Sequence, residues 1–535
     1  MVYRKSPTVK RFVVTVCPYL TNYISGTLTS NKVGDGMRKI LILVVLFFSG
    51  TVMADARQCK NLVRLTDLNY AIEPGYVVAA TDKIPAYCHV RGVINRAIRF
   101  DVTLPLKGWN GRFMFSTVGG FAGTIGDVTS LLSSGYAMAS TDTGHEITEG
   151  NAFLNQPEAL LDFSYRGVHL ATQAAKTIVQ AYYGGPIDFS YLSGCSNGGR
   201  AALMEVTRFP NDYDGVLAGA PLQSFSEFMP WGIHVARAMK ANPLTVESLD
   251  VLAKNSASAC DVLDGVTDGV INDPRLCTEE LLDLDGLACG RRAQTDCLTK
   301  GQIETAKLIY RALKDKNGNV VAPGVMPGAE NSGDWAFWIL PNDFVGGVVS
   351  PVELQFDAVS RIMRHHPSFD IDQFDPANDV SVIERELSPL NADDPDLSEF
   401  RANGGKLIVY QGWNDFPLRP QRAIDHLRQV EAAVEGQADD FYRLFMVPGM
   451  THCRGGPGAW QTDYVKPLVD WRERGLAPDR IVGTQTGRNP AMPHLAPNSN
   501  SRTGKTFSRP QCVYPKLAAY DGSGDEDDAA NYVCR

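Results

Sequence analysis

No lysine- and arginine-rich stretch in this chain is dense enough to be called polybasic, and the formal net charge is −9. Both facts weigh against a nucleic-acid partner. Internal repeats are absent, which excludes a solenoid, and no glycine fingerprint for a nucleotide is found. Long apolar runs are scarce as well. The one clear example, Ile40–Phe48, is too short to cross a bilayer comfortably, so no membrane anchor is expected in the mature protein.

That apolar run has a different reading. It follows Met37-Arg38-Lys39 and precedes the small residues of Ser49–Ala56, the order of a secretory signal peptide with cleavage after Ala54 or Ala56. Because it lies deep in the chain, Met37 is the expected start, residues 1–36 an upstream extension and residues 37–56 the signal. Export agrees with the cysteines. Of eleven, Cys17 precedes the signal and ten remain, an even number that suggests five bridges in an oxidising compartment, secreted or periplasmic. Spacing alone does not give their connectivity. What is left, with 44% hydrophobic and 21% charged residues, has the composition of a globular enzyme with a large core.

The chemistry centres on Gly194-Cys195-Ser196-Asn197-Gly198, a Gly-x-Ser-x-Gly pentapeptide. A β-rich stretch, Pro186–Leu192, precedes it and a helix-forming stretch, Ala201–Thr207, follows. Strand, sharp turn and helix together are the setting of a nucleophile elbow, with the serine hydroxyl at the mouth of the helix. A serine needs a base, and the base needs a carboxylate to orient it. In an α/β-hydrolase these follow in the order Ser, Asp or Glu, His. Asp415 lies just past the apolar stretch Gly405–Tyr410, and His452 just past Phe441–Val447. Both sit at the carboxyl ends of expected strands, where open α/β sheets keep their chemistry. Cys195 precedes the serine and Cys453 follows the histidine. If Ser196 and His452 are within hydrogen-bond reach, these two cysteines are close enough to bridge.

At this point the sequence resembles the tannase and feruloyl esterase family of secreted α/β-hydrolases. The likeness runs from about Cys59 to Cys534. It includes Trp109-Asn-Gly-Arg-Phe113, Gly119-Gly-Phe-Ala-Gly123, Ser140-Thr-Asp-Thr-Gly-His145, Asp162-Phe-Ser-Tyr-Arg166, Gly412-Trp-Asn-Asp415 and Gly522–Cys534. The resemblance implies an α/β fold, a hydrolase sheet with a large inserted lid domain. It also implies pairings Cys59–Cys88, Cys195–Cys453, Cys260–Cys277, Cys289–Cys297 and Cys512–Cys534. The family includes tannases, feruloyl and chlorogenate esterases, and an esterase of mono(hydroxyethyl) terephthalate. A small-molecule aromatic ester is therefore the implied substrate, with a hydroxycinnamic or gallic acyl group. A terephthalate acyl group would need something to hold its second carboxylate, for which Arg361 and Arg364 are candidates. The competing class is a secreted, calcium-stabilised binding protein that kept the scaffold without turnover.

Alternation of Ile98, Phe100, Val102 and Leu104 marks a half-buried strand, and Arg112–Thr117 and Gly135–Thr141 read as further strands. Arg112–Thr117 runs into Gly119-Gly120-Phe121-Ala122-Gly123, where this fold supplies one oxyanion-hole N–H. The other comes from the residue after the nucleophile. Gly120, or its neighbour Gly119, and Asn197 fill these positions. His145 is read as structural or pocket-lining rather than as the base. Asp162, Arg166 and His169 open a long helix to about Tyr183 and are read as a structural polar cluster.

Between Pro221 and residue 405 lie roughly 180 residues, too many for a loop, so an inserted domain is expected over 222–396. The catalytic domain then comprises 57–221 and 397–535. Trp231, Trp335, Phe337, Trp338 and Phe344 enrich the insertion, with core packing the expected use of each and stacking on an aromatic acid the alternative. Within it, Asp261, Asp264 and Asp268 alternate with glycines, a spacing that can gather oxygens on a hard cation. It is not an EF-hand, whose terminal glutamate is missing. The resemblance implies a structural Ca²⁺ held by these three side chains and the carbonyls of Val266 and Val270.

Overall fold

The alternating residues Ile98, Phe100, Val102 and Leu104 are all fully buried, and their strand lies inside a ten-stranded sheet. The computed structural model describes residues 55–290, 296–342, 347–486 and 506–535. The upstream segment and nearly all of the expected signal peptide, with Cys17, fall outside the described residues, as does Phe344. The strands are β1 (Tyr70–Ile72), β2 (Tyr76–Val78), β3 (Tyr87–Ile94), β4 (Ile98–Pro105) and β5 (Arg112–Ser116). They continue as β6 (Ala137–Thr141), β7 (Phe189–Cys195), β8 (Gly215–Gly219), β9 (Lys406–Gly412) and β10 (Tyr442–Val447). Their spatial order is β1-β3-β4-β6-β5-β7-β8-β9-β10, with β2 alongside β3. From β6 to β10 all neighbours are parallel, and β1 to β4 form an antiparallel flank.

A parallel sheet must be covered on both faces. One face carries the helices Gly167–Tyr183, Asn197–Arg208 and Gln421–Ala433, which meet the strands through Val168, Ala171, Ile178, Ala202 and Ile424. The other carries Val465–Arg474, where Leu468 and Trp471 pack on Tyr191, Leu217, Ile408 and Phe445. This is the α/β-hydrolase arrangement.

The segment Asp162–Tyr183 is less uniform than its sequence suggests. Asp162–Arg166 is a π-type turn, and the α-helix begins at Gly167. The wider turn leaves the Phe163 and Ser164 carbonyls free to accept from the guanidinium of buried Arg200, at 2.8 and 2.7 Å. The expected polar cluster also divides in two. Asp162 pairs with Arg166, whereas His169 pairs with Asp212. Glu205 lies near enough for ligand atoms of His169, Glu205 and Asp212 to fall within 4.8 Å of one another. Lys176, whose ammonium donates to the Asp212 carbonyl, already supplies a cation there.

Between β8 and β9 the chain builds a layer over the carboxyl edge of the sheet. It has a core of its own, with Trp231, Leu252, Ile303 and Trp335 packed around Phe416, a residue of the loop after β9. A second cluster joins Phe225, Ile233, Val359 and Ile383 of this layer to Ala122, Phe153 and Phe163 of the loops after β5 and β6. Five disulfides form, in the pairs Cys59–Cys88, Cys195–Cys453, Cys260–Cys277, Cys289–Cys297 and Cys512–Cys534. Among the described residues, no helix is long and apolar enough to cross a membrane.

Candidate active site

Parallel register sets the stage: Cys195 lies level with Gly219 and Gly412 with Val447, so β7 to β10 deliver their following turns to one edge. At the end of β7 the chain reverses through Ser196, which has φ 65° and ψ −126°. A non-glycine residue accepts that conformation only where its surroundings enforce it. Here the Ser196 N–H donates to the Gly219 carbonyl at 3.0 Å, and its carbonyl accepts from Arg200 and Leu222. Gly194 and Gly198 are needed for a different reason. A Cβ on Gly194 would overlap the Thr117 hydroxyl, and one on Gly198 would lie 2.9 Å from it.

Ser196 Oγ stands 2.9 Å from His452 Nε2, and His452 Nδ1 stands 2.9 Å from Asp415 Oδ2. Asp415 is fully buried. Its remaining acceptor capacity is used by the Leu418 N–H at 2.9 Å and the Gln411 amide at 3.0 Å, which fixes the carboxylate's orientation. Cys195 and Cys453 flank Ser196 and His452 with Cα atoms 6.0 Å apart. Burial disfavours a charged His452 ring, but the Asp415 carboxylate, and after it Asp334, outweigh this and hold its pKa above the usual 6.5.

The Gly119–Gly123 turn lies beside the elbow. A Cβ on Gly119 would sit 3.7 Å from the serine Cβ, and Gly120 has φ 61° with open space around it. The Asn197 side chain clamps this turn to the elbow. Its Nδ2 donates to the Val118 carbonyl at 3.1 Å while its Oδ1 accepts from Arg200 at 2.7 Å. Among the described residues, the backbone N–H groups of Gly120 and Asn197 donate to no backbone carbonyl. His145 is buried, stacked on Phe153 with centroids 3.8 Å apart, and its Nε2 lies 2.6 Å from the Phe121 carbonyl. A carbonyl can only accept, so the proton is on Nε2 and the ring props the turn. Burial lowers its pKa.

Serine and histidine open into a cavity of about 500 Å³ whose walls include Phe121, Phe225, Phe228, Phe337, Trp338 and Leu418. The aromatic residues of the insertion thus divide: Trp231 and Trp335 are core, while Phe337 and Trp338 face the cavity. Arg361 and Arg364 do not line it. Arg361 is paired with Asp357 at 2.8 Å.

Three contributors carry no motif. Asp334, from the insertion, accepts from the N–H of His452 at 3.2 Å and of Phe416 at 3.0 Å, tying together the loops that carry His452 and Asp415. Burial, and then the Asp415 charge, raise its pKa to about 7. Gln411 had a visible signal, as a polar residue in an otherwise apolar strand. Arg200 had one too, as a charge directly ahead of the apolar run Ala201–Met204, and in the structure it is fully buried.

The acidic loop follows Cys260 as a 3₁₀ turn, Asp261–Asp264, with left-handed glycines at 265 and 269. Asp264 accepts from the N–H of Val266 and Asn272, Asp261 Oδ2 from Gly269, and Asp268 from Val270. Asp268 also pairs with Arg509 at 2.6 Å. Asp261 Oδ1 is buried without a partner. Burial, and the neighbouring Asp268 and Asp261, push Asp264 up to about 6. Clustered carboxylates with an orphaned oxygen fit a hard cation.

A profile described as tannase and feruloyl esterase matches residues 76–535. An esterase of Xanthomonas campestris pv. campestris, itself uncharacterized, is 32% identical over 503 residues, 85% of each chain. A probable feruloyl esterase B of Aspergillus niger is 30% identical over 456 residues, 80% of this chain and 82% of its own. Among solved structures, an esterase from Aspergillus oryzae superposes with a TM-score of 0.77 at 25% identity, covering 90% of this chain and all of that one.

Proposed function

The chain belongs to the tannase and feruloyl esterase family and is a carboxylic ester hydrolase, and from that premise we propose that it cleaves esters of hydroxycinnamic or gallic acids through an acyl-enzyme. In this reading His452, oriented by Asp415, takes the proton of Ser196 as the hydroxyl attacks the ester carbonyl. The oxyanion is held by the N–H groups of Asn197 and Gly120. His452 then protonates the departing alcohol, and water, activated by the same ring, releases the acid. The observation that carries this is the unbroken chain from Ser196 Oγ through His452 to Asp415, both links 2.9 Å, at the floor of an aromatic-walled cavity.

The inserted segment, 222–396, acts as a lid that walls the substrate. A structural Ca²⁺ is held by Asp261, Asp264 and Asp268 with the carbonyls of Val266 and Val270, pinning the loop beside Cys260–Cys277 and taking no part in the chemistry. The protein works outside the cytoplasm, a reading that the five disulfides support.

The test is hydrolysis of methyl ferulate, chlorogenate and methyl gallate, with labelling by a fluorophosphonate probe. Ser196→Ala should lose at least about 10⁴-fold in kcat and all labelling. An unlabelled wild-type serine would instead support the binding-protein class.

A further inference from the structure

The turn that carries Asp415 is gripped by the insertion at two points. Phe416 packs between Trp231 and Trp335, with ring centroids 5.3 and 5.0 Å away. The second grip is polar and comes from the helix Phe225–Ala241. That helix opens with Ser224-Phe-Ser-Glu227, the sequence of a capping box. The serine half forms, with the Glu227 N–H donating to Ser224 Oγ at 3.2 Å. The glutamate carboxylate goes elsewhere. One oxygen accepts from Arg419 Nη2 at 2.7 Å and the other from Arg422 Nε.

Arg419 and Glu227 are 3% and 4% exposed, so each relies on the other rather than on water for its charge. Trp231, one turn along the helix from Glu227, offers its ring to the guanidinium at 4.4 Å. From there the contact runs straight to the site. Arg419 Nη1 donates to the Pro417 carbonyl. The N–H of the same peptide unit, that of Leu418, donates to Asp415 Oδ1 at 2.9 Å. One peptide plane is thus held by a guanidinium at its oxygen and holds the Asp415 carboxylate at its nitrogen. The Arg419 charge also reaches Asp415. Burial lowers the Arg419 pKa, and the Glu227 charge first, with Asp415 further down, opposes that.

We propose that Glu227 is a positioning residue for Asp415, acting through Arg419, an inference that rests on the Ser196–His452–Asp415 mechanism above. It fixes the guanidinium that orients the Pro417–Leu418 peptide. It also neutralises that guanidinium, so that the charge of Asp415 is left for His452. The charged groups facing His452 are Asp415 and Asp334, and those facing Arg419 are Glu227, Arg422 and Asp415. Because Glu227 belongs to the insertion, the lid then takes part in setting the base as well as in walling the cavity.

The experiment follows the rate at which a fluorophosphonate labels Ser196 across pH, a readout that needs no choice of ester, in the wild type, Glu227→Gln, Arg419→Met and the double variant. Glu227→Gln should label about tenfold or more slowly, as a misplaced catalytic group does. Its acid limb should move to lower pH, because the bared guanidinium draws on Asp415 and disfavours a charged His452. Adding Arg419→Met removes that guanidinium and should bring the limb back toward its wild-type position, with the rate still low because the Pro417 carbonyl has lost its donor. Arg419→Met alone leaves Glu227 paired with Arg422, and it serves if Glu227→Gln does not fold. It should label slowly with a limb no lower than that of the wild type. An unmoved limb in Glu227→Gln, a limb as low in the double variant, or a wild-type rate in Arg419→Met would each overturn the proposal and leave the mechanism intact. A wild-type Ser196 that is not labelled at all would overturn the mechanism, and the proposal with it.

Discussion

Asp334 is the residue whose role is furthest from its sequence context. It comes from the insertion, 118 positions from the histidine whose N–H it accepts. Nothing in Gly333-Asp334-Trp335 marks it, because only the folded chain brings that turn to the loop after β10. Its charge helps Asp415 to hold His452 above the usual histidine range. In the proposed mechanism His452 is the base and must be neutral, so activity falls as pH drops through its pKa, and the acid limb of kcat/KM should lie above pH 6.5. Asp334 carries its charge above its own pKa of about 7, and Asp334→Asn removes that charge and lowers the His452 pKa. The limb should move to lower pH, with the variant keeping more of its pH 8 activity at pH 6 than the wild type does. An unmoved limb with reduced kcat would make Asp334 a tether alone. Ser196, Asp415 and His452 were legible for the opposite reason: each follows directly from a strand at a position the chemistry dictates, and the strand is visible in a few apolar residues.

At the scale of elements, the strands and the elbow helix could be read because their apolar residues recur with the period of the structure. The π-type turn at Asp162–Arg166 could not, since it depends on Arg200 arriving from another helix to take the freed carbonyls. The Asp261–Val270 loop lies between. Its acidic spacing was plain, but the pairing of Asp268 with Arg509, across 241 residues, was not. With three carboxylates near one another and one oxygen unpartnered, this loop is held against its own repulsion. Removing divalent cations with a chelator should lower the melting temperature, and added Ca²⁺ should restore it. Asp264→Asn should melt lower than the wild type and respond less to the chelator. Equal melting with and without chelator in the wild type would remove the cation from the loop.

For the molecule as a whole, one buried histidine sets a pH limit. His426, on the helix Gln421–Ala433, is 3% exposed, with Nδ1 near the Tyr442 hydroxyl and Nε2 unpartnered. Burial lowers its pKa from 6.5 to about 4. The unfolded chain takes up a proton near pH 6.5 while the folded one resists until about 4. The contribution is therefore complete above 6.5 and is lost as pH falls through that window, a loss of about 3 kcal/mol at roughly 1.4 kcal/mol per pKa unit. Melting temperature should drop between pH 6.5 and 4, and His426→Leu should show a shallower drop over the same range. The large-scale plan, a hydrolase sheet interrupted after one strand by a long insertion, was legible from strand order and length alone. How the insertion's residues divide between its own core and the cavity wall was not, because Trp335 and Trp338 sit on one short helix and differ only in the direction they face.

The bridge between Cys195 and Cys453 spans 258 residues, so it joins a segment to one made much later in synthesis. A chain still emerging from the ribosome holds Ser196 without the histidine that the proposed mechanism pairs with it. Where thiols stay reduced, that pair lacks its covalent clasp even after the last residue is added. In the oxidised, finished chain the 2.9 Å approach of Ser196 Oγ to His452 is backed by a covalent tether between their neighbours as well as by its own hydrogen bond.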